Sequence, residues 1–240
     1  DMGRRIRLED ILITKEQVAK EYDILDSLEA STAKIGGTPT KTTTTQEKVF
    51  SVKLSIVTDT KRIDEVHQLF NKTRQAIHYA NAFKPSKVYE VTIETMSDAY
   101  NKYGAKLDNI WRLWHGTKAS NLLSILKNGL VVPPSNANHV CARNFGNGCY
   151  FSDQSTKSLN YAAGYWDNSF EKEKCWMFLA DVAMGQFQTN EKVVKPLAHN
   201  LPNGYHSVFA KGGRNGLLNN EMIIPRIDQS NLVYLVEFEK

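Results

Sequence analysis

Phe50, Val52, Leu54 and Ile56 alternate with Ser51, Lys53 and Ser55, a period of two that predicts a strand with one buried face. Val66, Leu69, Phe70, Thr73, Ile77 and Ala80 then recur at helical spacing. Tyr89, Val91 and Ile93 alternate with Glu90, Thr92 and Glu94 as a second strand. A further helix is predicted from about Lys118 to Asn128, with Thr117 as its N-cap and Gly129 as its C-terminal stop. Cys175 to Ala183, Met222 to Ile224 and Leu232 to Phe238 read as strands. Helices early and strands late predict an α+β domain with antiparallel pairing, not regular βαβ alternation.

The chain ahead of this pattern is different in kind. Thr14 and Gln17 form a capping box, Ile13 and Val18 a hydrophobic staple, and Val18, Tyr22, Leu25 and Leu28 one apolar stripe. Residues 36–45, Gly-Gly-Thr-Pro-Thr-Lys-Thr-Thr-Thr-Thr, have no periodicity and read as a linker. The expected division is therefore an N-terminal helical segment with its linker over 1–45, and one main domain over 46–240.

Composition narrows the classes. The chain has 240 residues, 41% of them hydrophobic, enough for one substantial domain and an appendage. No run approaches the roughly 18 apolar residues of a membrane span, and Asp1 to Arg5 is not followed by a signal-peptide core. Cys141, Cys149 and Cys175 cannot all pair with one another and read as reduced thiols of an intracellular protein. With His139 they lack any CxxC spacing, so no metal is expected. The net charge of +4 favours an acidic or phosphate-bearing partner but is too small to indicate nucleic acid by itself.

Three segments stand out from core patterning. Leu113-Trp114-His115-Gly116-Thr117 sets a histidine and a glycine after an apolar strand-like run. Gly146-Asn147-Gly148-Cys149-Tyr150-Phe151-Ser152-Asp153 sets a tyrosine after two glycines, which let backbone approach a ligand. Asn219-Asn220-Glu221-Met222-Ile223-Ile224 sets a carboxylate at the mouth of an apolar strand. Taken singly each has an ordinary reading: a hydrogen-bonded core histidine, a strand aromatic, a solvated strand end. Gly146 and Gly148 are not a dinucleotide fingerprint, because Phe151 occupies the third glycine's place and strand follows where a helix should begin.

Taken together, these segments resemble the catalytic domain of the poly(ADP-ribose) polymerase family, from about Lys48 to Lys240. Trp114 to Thr117 looks like its W-H-G-[ST] segment, Gly146 to Asp153 its G-x-G-x-Y-F-[AS]-D segment, and Ser155 to Tyr161 its S-x-K-S-x-x-Y segment. Leu179 to Gly185, Tyr205-His206-Ser207-Val208 and Asn220-Glu221 follow in the family's order. The resemblance implies an ADP-ribosyltransferase fold, a split antiparallel sheet flanked by helices. It implies NAD as co-substrate and an acceptor macromolecule: protein first, otherwise nucleic acid or a growing ADP-ribose chain. Gly116 and Ser158 would hold the nicotinamide carboxamide, Tyr161 would stack beneath the ring and Tyr150 would close its other side. His115 would bind the adenosine ribose. The implied catalytic set is Glu221, His115 and Tyr150, with Glu221 stabilising the charge that develops on the ribose.

Other positions depart from the pattern or match nothing specific. Val131 follows Gly129-Leu130 where some members carry an arginine. Residues 136–143 would form the loop over NAD, with Arg143 a candidate for the pyrophosphate. The acceptor loop between Val208 and Glu221 is rich in glycine and asparagine and reads as mobile, with Lys211 and Arg214 able to attract an acidic target. Lys157 reads as an acceptor-side cation or a solvated lysine. The alternative to an enzyme is an inactive module of the same fold that binds NAD or ADP-ribose. A bacterial-toxin-like transferase is a third class, and only Asn219 stands where its first carboxylate or amide partner would be.

Overall fold

The computed structural model describes residues 51–132, 144–166, 173–191, 196–214 and 216–240, all within the unit Phe50–Lys240. The helix expected around Val18, the linker at 36–45 and the segment 136–143 with Arg143 lie outside the described residues.

Five strands make the larger sheet, in the spatial order β1 (Val52–Ile56), β2 (Lys84–Ile93), β9 (Ser230–Glu239), β5 (Lys174–Ala183) and β3 (Ile110–Gly116). Every neighbouring pair is antiparallel. The smaller sheet runs β4 (Cys149–Phe151), β8 (Glu221–Ile224), β7 (Ser207–Ala210) and β6 (Phe187–Thr189). Its one exception to antiparallel pairing is β6 with β7, where the chain between Thr189 and Ser207 is long enough for a crossover. Among the described residues one bridge, Trp114 to Ser152, joins the two sheets.

The central strands are buried on both faces, which is why Cys175 to Ala183 reads as a continuous apolar run. On one face Met177, Leu179, Val236 and Phe238 pack with Val66 and Phe70 of α1 (Thr60–Thr73) and Leu159 of α4 (Ser155–Ala162). On the other, Phe178, Ala180 and Val182 pack with Met96 of α2 (Glu94–Lys102), Ile125 and Leu126 of α3 (Leu122–Asn128), and Phe151, Met222 and Ile224 of the smaller sheet. The period of two therefore joins the helical layer to one face and the second sheet to the other.

Three expectations are corrected. The stripe through Val66 and Phe70 is helical, but Ile77 and Ala80 are not part of it. Helix α1 is N-capped by Asp59, whose side chain accepts from Lys61 N at 2.9 Å, and stops at Thr73, whose hydroxyl donates back to Leu69 O at 2.7 Å. Arg74 is extended and binds Asn81, so Ala80 falls in a 3-10 turn and Ile77 is 76% exposed. β1 has no buried face. It is the outer strand of its sheet, and Leu54 and Ile56 are 45% and 55% exposed. Thr117 does not cap α3 either. Its hydroxyl accepts from the Asn121 side chain at 2.9 Å, and a 3-10 turn precedes the helix, although Gly129 does end it with φ +76°.

Cys149 and Cys175 are buried and in no disulfide, and burial pushes the Cys149 thiol up to about 12, which leaves it unreactive. Among the described residues no group of three His, Cys, Asp or Glu side chains could hold a metal, and no helix is long and apolar enough to cross a membrane.

Candidate active site

Helix α4 is the element on which the site is assembled. Gly116, at the end of β3, lies so close to it that a Cβ there would fall 1.7 Å from Ser158 O. The glycine is thus required by the helix backbone itself. Ser158 is buried and donates from Oγ to Trp114 O at 3.1 Å, which leaves its lone pairs as acceptors. Trp114 N and O both bond Ser152, on the side of β3 away from β5. By the two-residue period of the strand, the N–H and C=O of Gly116 face that same side and are not spent on the sheet.

His115 is half-buried and lies with its ring centroid 5.4 Å from that of Phe151. Its Nδ1 is 3.0 Å from Tyr150 O; since a carbonyl only accepts, Nδ1 carries the proton and Nε2 is left as an acceptor. Burial pushes the ring below the ordinary histidine pKa, partly offset by the bond to Tyr150 O. Tyr150 is anchored in turn. Its hydroxyl donates to Gly146 O at 2.8 Å and accepts from Phe145 N at 3.1 Å.

The two glycines before Tyr150 have structural neighbours instead of an open ligand face. A Cβ at Gly146 would meet the His199 ring at 2.2 Å, and one at Gly148 would meet Ile223 at 2.6 Å. His199 Nδ1 also accepts from Asn147 N at 3.0 Å, so this turn is a buttress for Tyr150. Tyr161, on α4 beyond Ser158, is half-buried with its ring centroid 5.8 Å from that of Trp166.

Glu221 opens β8, one register step from Met222, which pairs with Phe151, and two from Ile223, which pairs with Tyr150. It is buried, which excludes a solvated strand end. Lys157, also on α4, is neither solvated nor free. Its Nζ lies 2.9 Å from Glu221 Oε1, with side chains only 14% and 10% exposed respectively, and it also donates to Asn220 O at 2.8 Å. Burial lowers the lysine pKa and the Glu221 charge counters that. Glu221 Oε2 is buried with no hydrogen-bond partner. A buried carboxylate held at one oxygen and unsatisfied at the other is poised for a hydroxyl donor.

The acceptor loop carries backbone hydrogen bonds of its own. Gly213 N donates to Leu217 O at 2.6 Å and Leu217 N to Arg214 O at 2.9 Å, closing a hairpin. Lys211 is partly neutralised by Glu191 at 2.6 Å, while Arg214 is exposed. The structure therefore brings Gly116 to Ser158 and His115 to Tyr150, with Glu221 beside α4. The roles of Lys157, Asp153, Asn220 and His199 were missed in the sequence. The signal available was position alone: Lys157 directly precedes Ser158, and Asn220 directly precedes Glu221.

Residues 60–237 match the model of the poly(ADP-ribose) polymerase catalytic domain. The chain belongs to that family. It is 34% identical over 167 residues to the poly(ADP-ribose) polymerase-like protein 100L of Invertebrate iridescent virus 6, covering 65% of this chain and 87% of the viral protein. It is 29% identical over 218 residues to poly(ADP-ribose) polymerase 1 of Gallus gallus, and 32% identical over 148 residues to poly(ADP-ribose) polymerase 2 of Homo sapiens. Those matches cover 76% and 61% of this chain but only 21% and 24% of the relatives. Membership in the poly(ADP-ribose) polymerase catalytic domain family makes the chain an NAD-dependent ADP-ribosyltransferase.

Proposed function

We propose that this domain transfers ADP-ribose from NAD to an acceptor protein, with Glu221 as the reacting carboxylate. The observation that supports this most is the division of labour at that residue: Oε1 is held by Lys157 at 2.9 Å, and Oε2 is buried and unpartnered. The residues fit an extended NAD molecule. Gly116 N–H and C=O, with the Ser158 lone pairs, match a carboxamide, and Tyr161 and Tyr150 offer aromatic faces to a cationic ring. His115 Nε2, fixed as an acceptor by Tyr150 O, suits a ribose hydroxyl.

Glu221 Oε2 accepts a hydrogen bond from the 2′-hydroxyl of the nicotinamide ribose and stabilises positive charge there as the bond to nicotinamide breaks. Nicotinamide leaves with the bonding electron pair. The acceptor oxygen bonds to the vacated carbon, and its proton passes to the Glu221 carboxylate or to water. Lys157 keeps Glu221 aimed, and Tyr150, pinned at its hydroxyl, keeps its ring from rotating away. A module that only bound nucleotide would have no use for a buried oxygen without a partner.

The same reading places the catalytic unit in residues 46–240, inside the cell, with 1–45 dispensable for chemistry. Incubation with labelled NAD, with and without protein acceptors, followed by mass spectrometry, tests the function. Acceptor adducts from the 240-residue chain, and equally from a truncation starting at Gln46, are expected. Intact NAD in every reaction refutes it.

A further inference from the structure

Asn220 makes three hydrogen bonds to three separate parts of the chain. Its Nδ2 donates to Asp153 Oδ2 at 2.7 Å, just beyond β4. Its Oδ1 accepts from Gly212 N at 2.9 Å, at the base of the acceptor loop. Its carbonyl accepts from Lys157 Nζ at 2.8 Å, and that same Nζ holds Glu221. Asn220 is therefore bonded to the residue that holds the carboxylate and covalently joined to the carboxylate residue itself.

The loop at the other end of this connection is tied down at its base. Besides the hairpin bonds, Lys211 N donates to Asn190 Oδ1 at 2.9 Å and Asn190 Nδ2 donates to Lys211 O at 3.1 Å. A Cβ on Gly212 would lie 2.7 Å from Leu218 O, so the hairpin closes tightly against its own base. A load on such a hairpin reaches Gly212, and Gly212 bonds Asn220.

We propose that Asn220 is a positioning residue that makes the aim of Glu221 depend on the conformation of the acceptor-loop base, Lys211–Arg214 with Leu217–Asn219, so that an acceptor engaged there acts on the reacting centre. This rests on the reading of Glu221 as the reacting carboxylate. A side chain that only closed the loop would affect melting and not turnover.

The test is a set of variants of the full chain, measured for kcat, KM for NAD and melting temperature. Asn220→Asp sets a carboxylate against Asp153 and removes the donor. It should lower kcat about tenfold, the size of losing one hydrogen bond to a charged group, with KM for NAD little changed. Asp153→Asn combined with Asn220→Asp reverses the polarity of the bond while Gly212 N keeps its acceptor. This double variant should return kcat to within about threefold of the parent. Gly212→Ala should lower kcat without raising KM, and less than additively with Asn220→Asp.

If Asn220→Asp melts lower but keeps the parent kcat, or if the double variant is no better than the single, the inference is overturned. An unchanged kcat in Gly212→Ala overturns the link to the loop. Glu221→Gln is the control that separates the two ideas. With Glu221→Gln inactive and Asn220→Asp normal, only the positioning role fails; with Glu221→Gln fully active, both fail. Should Asn220→Asp not fold, the double variant and Gly212→Ala carry the test.

Discussion

Lys157 Nζ and Glu221 Oε1 are 2.9 Å apart although 64 residues separate them in the chain. The lysine rides on α4 and the glutamate opens β8, so the pair ties the helix beneath Gly116 to the strand beside Tyr150. Its near-complete burial makes the charge balance of the site depend on both partners.

Glu221→Gln preserves size and removes the charge. Turnover should fall by about two orders of magnitude while NAD affinity, measured by calorimetry, stays near the parent value. A variant with normal turnover would remove Glu221 from the mechanism.

The lysine sets an alkaline limit. With its pKa lowered by burial, Lys157 loses its proton below the ordinary lysine value of 10.5, and kcat should fall there as Glu221 loses its cation. The stability contribution runs the opposite way. A depressed pKa means fewer protons bound folded than unfolded, so this group's contribution rises with pH through that window. Lys157→Arg should move the fall in kcat to higher pH, and pH–rate profiles of the two proteins decide it. Lys157→Met leaves Glu221 buried without its partner and should cost about 3 kcal/mol in denaturant unfolding.

His115 governs the acid side. Its pKa lies below 6.5, so Nε2 remains an acceptor through neutral pH. NAD affinity should be flat at neutrality and weaken only as pH falls through the depressed value. The fold loses stability in the same direction, since neutral His115 is favoured in the folded state and its stabilisation is complete only above the unfolded pKa. His115→Ala should weaken NAD binding throughout and abolish that acid dependence in calorimetric titrations.

Benzamide carries a carboxamide on an aromatic ring and should bind at or below millimolar concentration. Gly116→Ala should abolish that binding, because its Cβ would fall 1.7 Å from Ser158 O and the helix cannot yield by a side-chain rotation. Overpacking of this kind costs roughly 1–3 kcal/mol, so thermal melting should drop as well. Saturable binding to Gly116→Ala with parent affinity would place the carboxamide elsewhere.

Features written as local periodicity were legible without the fold. The alternation in β2 and the stripe through Val66 and Phe70 record which face of an element is apolar, and the continuous apolar run of β5 records burial on both; these depend on neighbours within one or two turns of chain. The ordered motifs around His115, Tyr150 and Glu221 likewise identified the family, because each motif is a short contiguous run. What the local pattern could not state is what comes to lie against those faces. Leu54 and Ile56 alternate as a buried strand would, but β1 sits at the sheet edge and leaves them exposed. Gly146 reads as an approach for ligand, yet it is the His199 ring that occupies the space. Lys157 and Asn220 stand next to Ser158 and Glu221 in the sequence, but their roles arise only because α4, β4, β8 and the acceptor loop converge. Periodicity along a chain specifies the orientation of each side chain relative to its own element; which charges and backbones meet is settled by packing between distant elements.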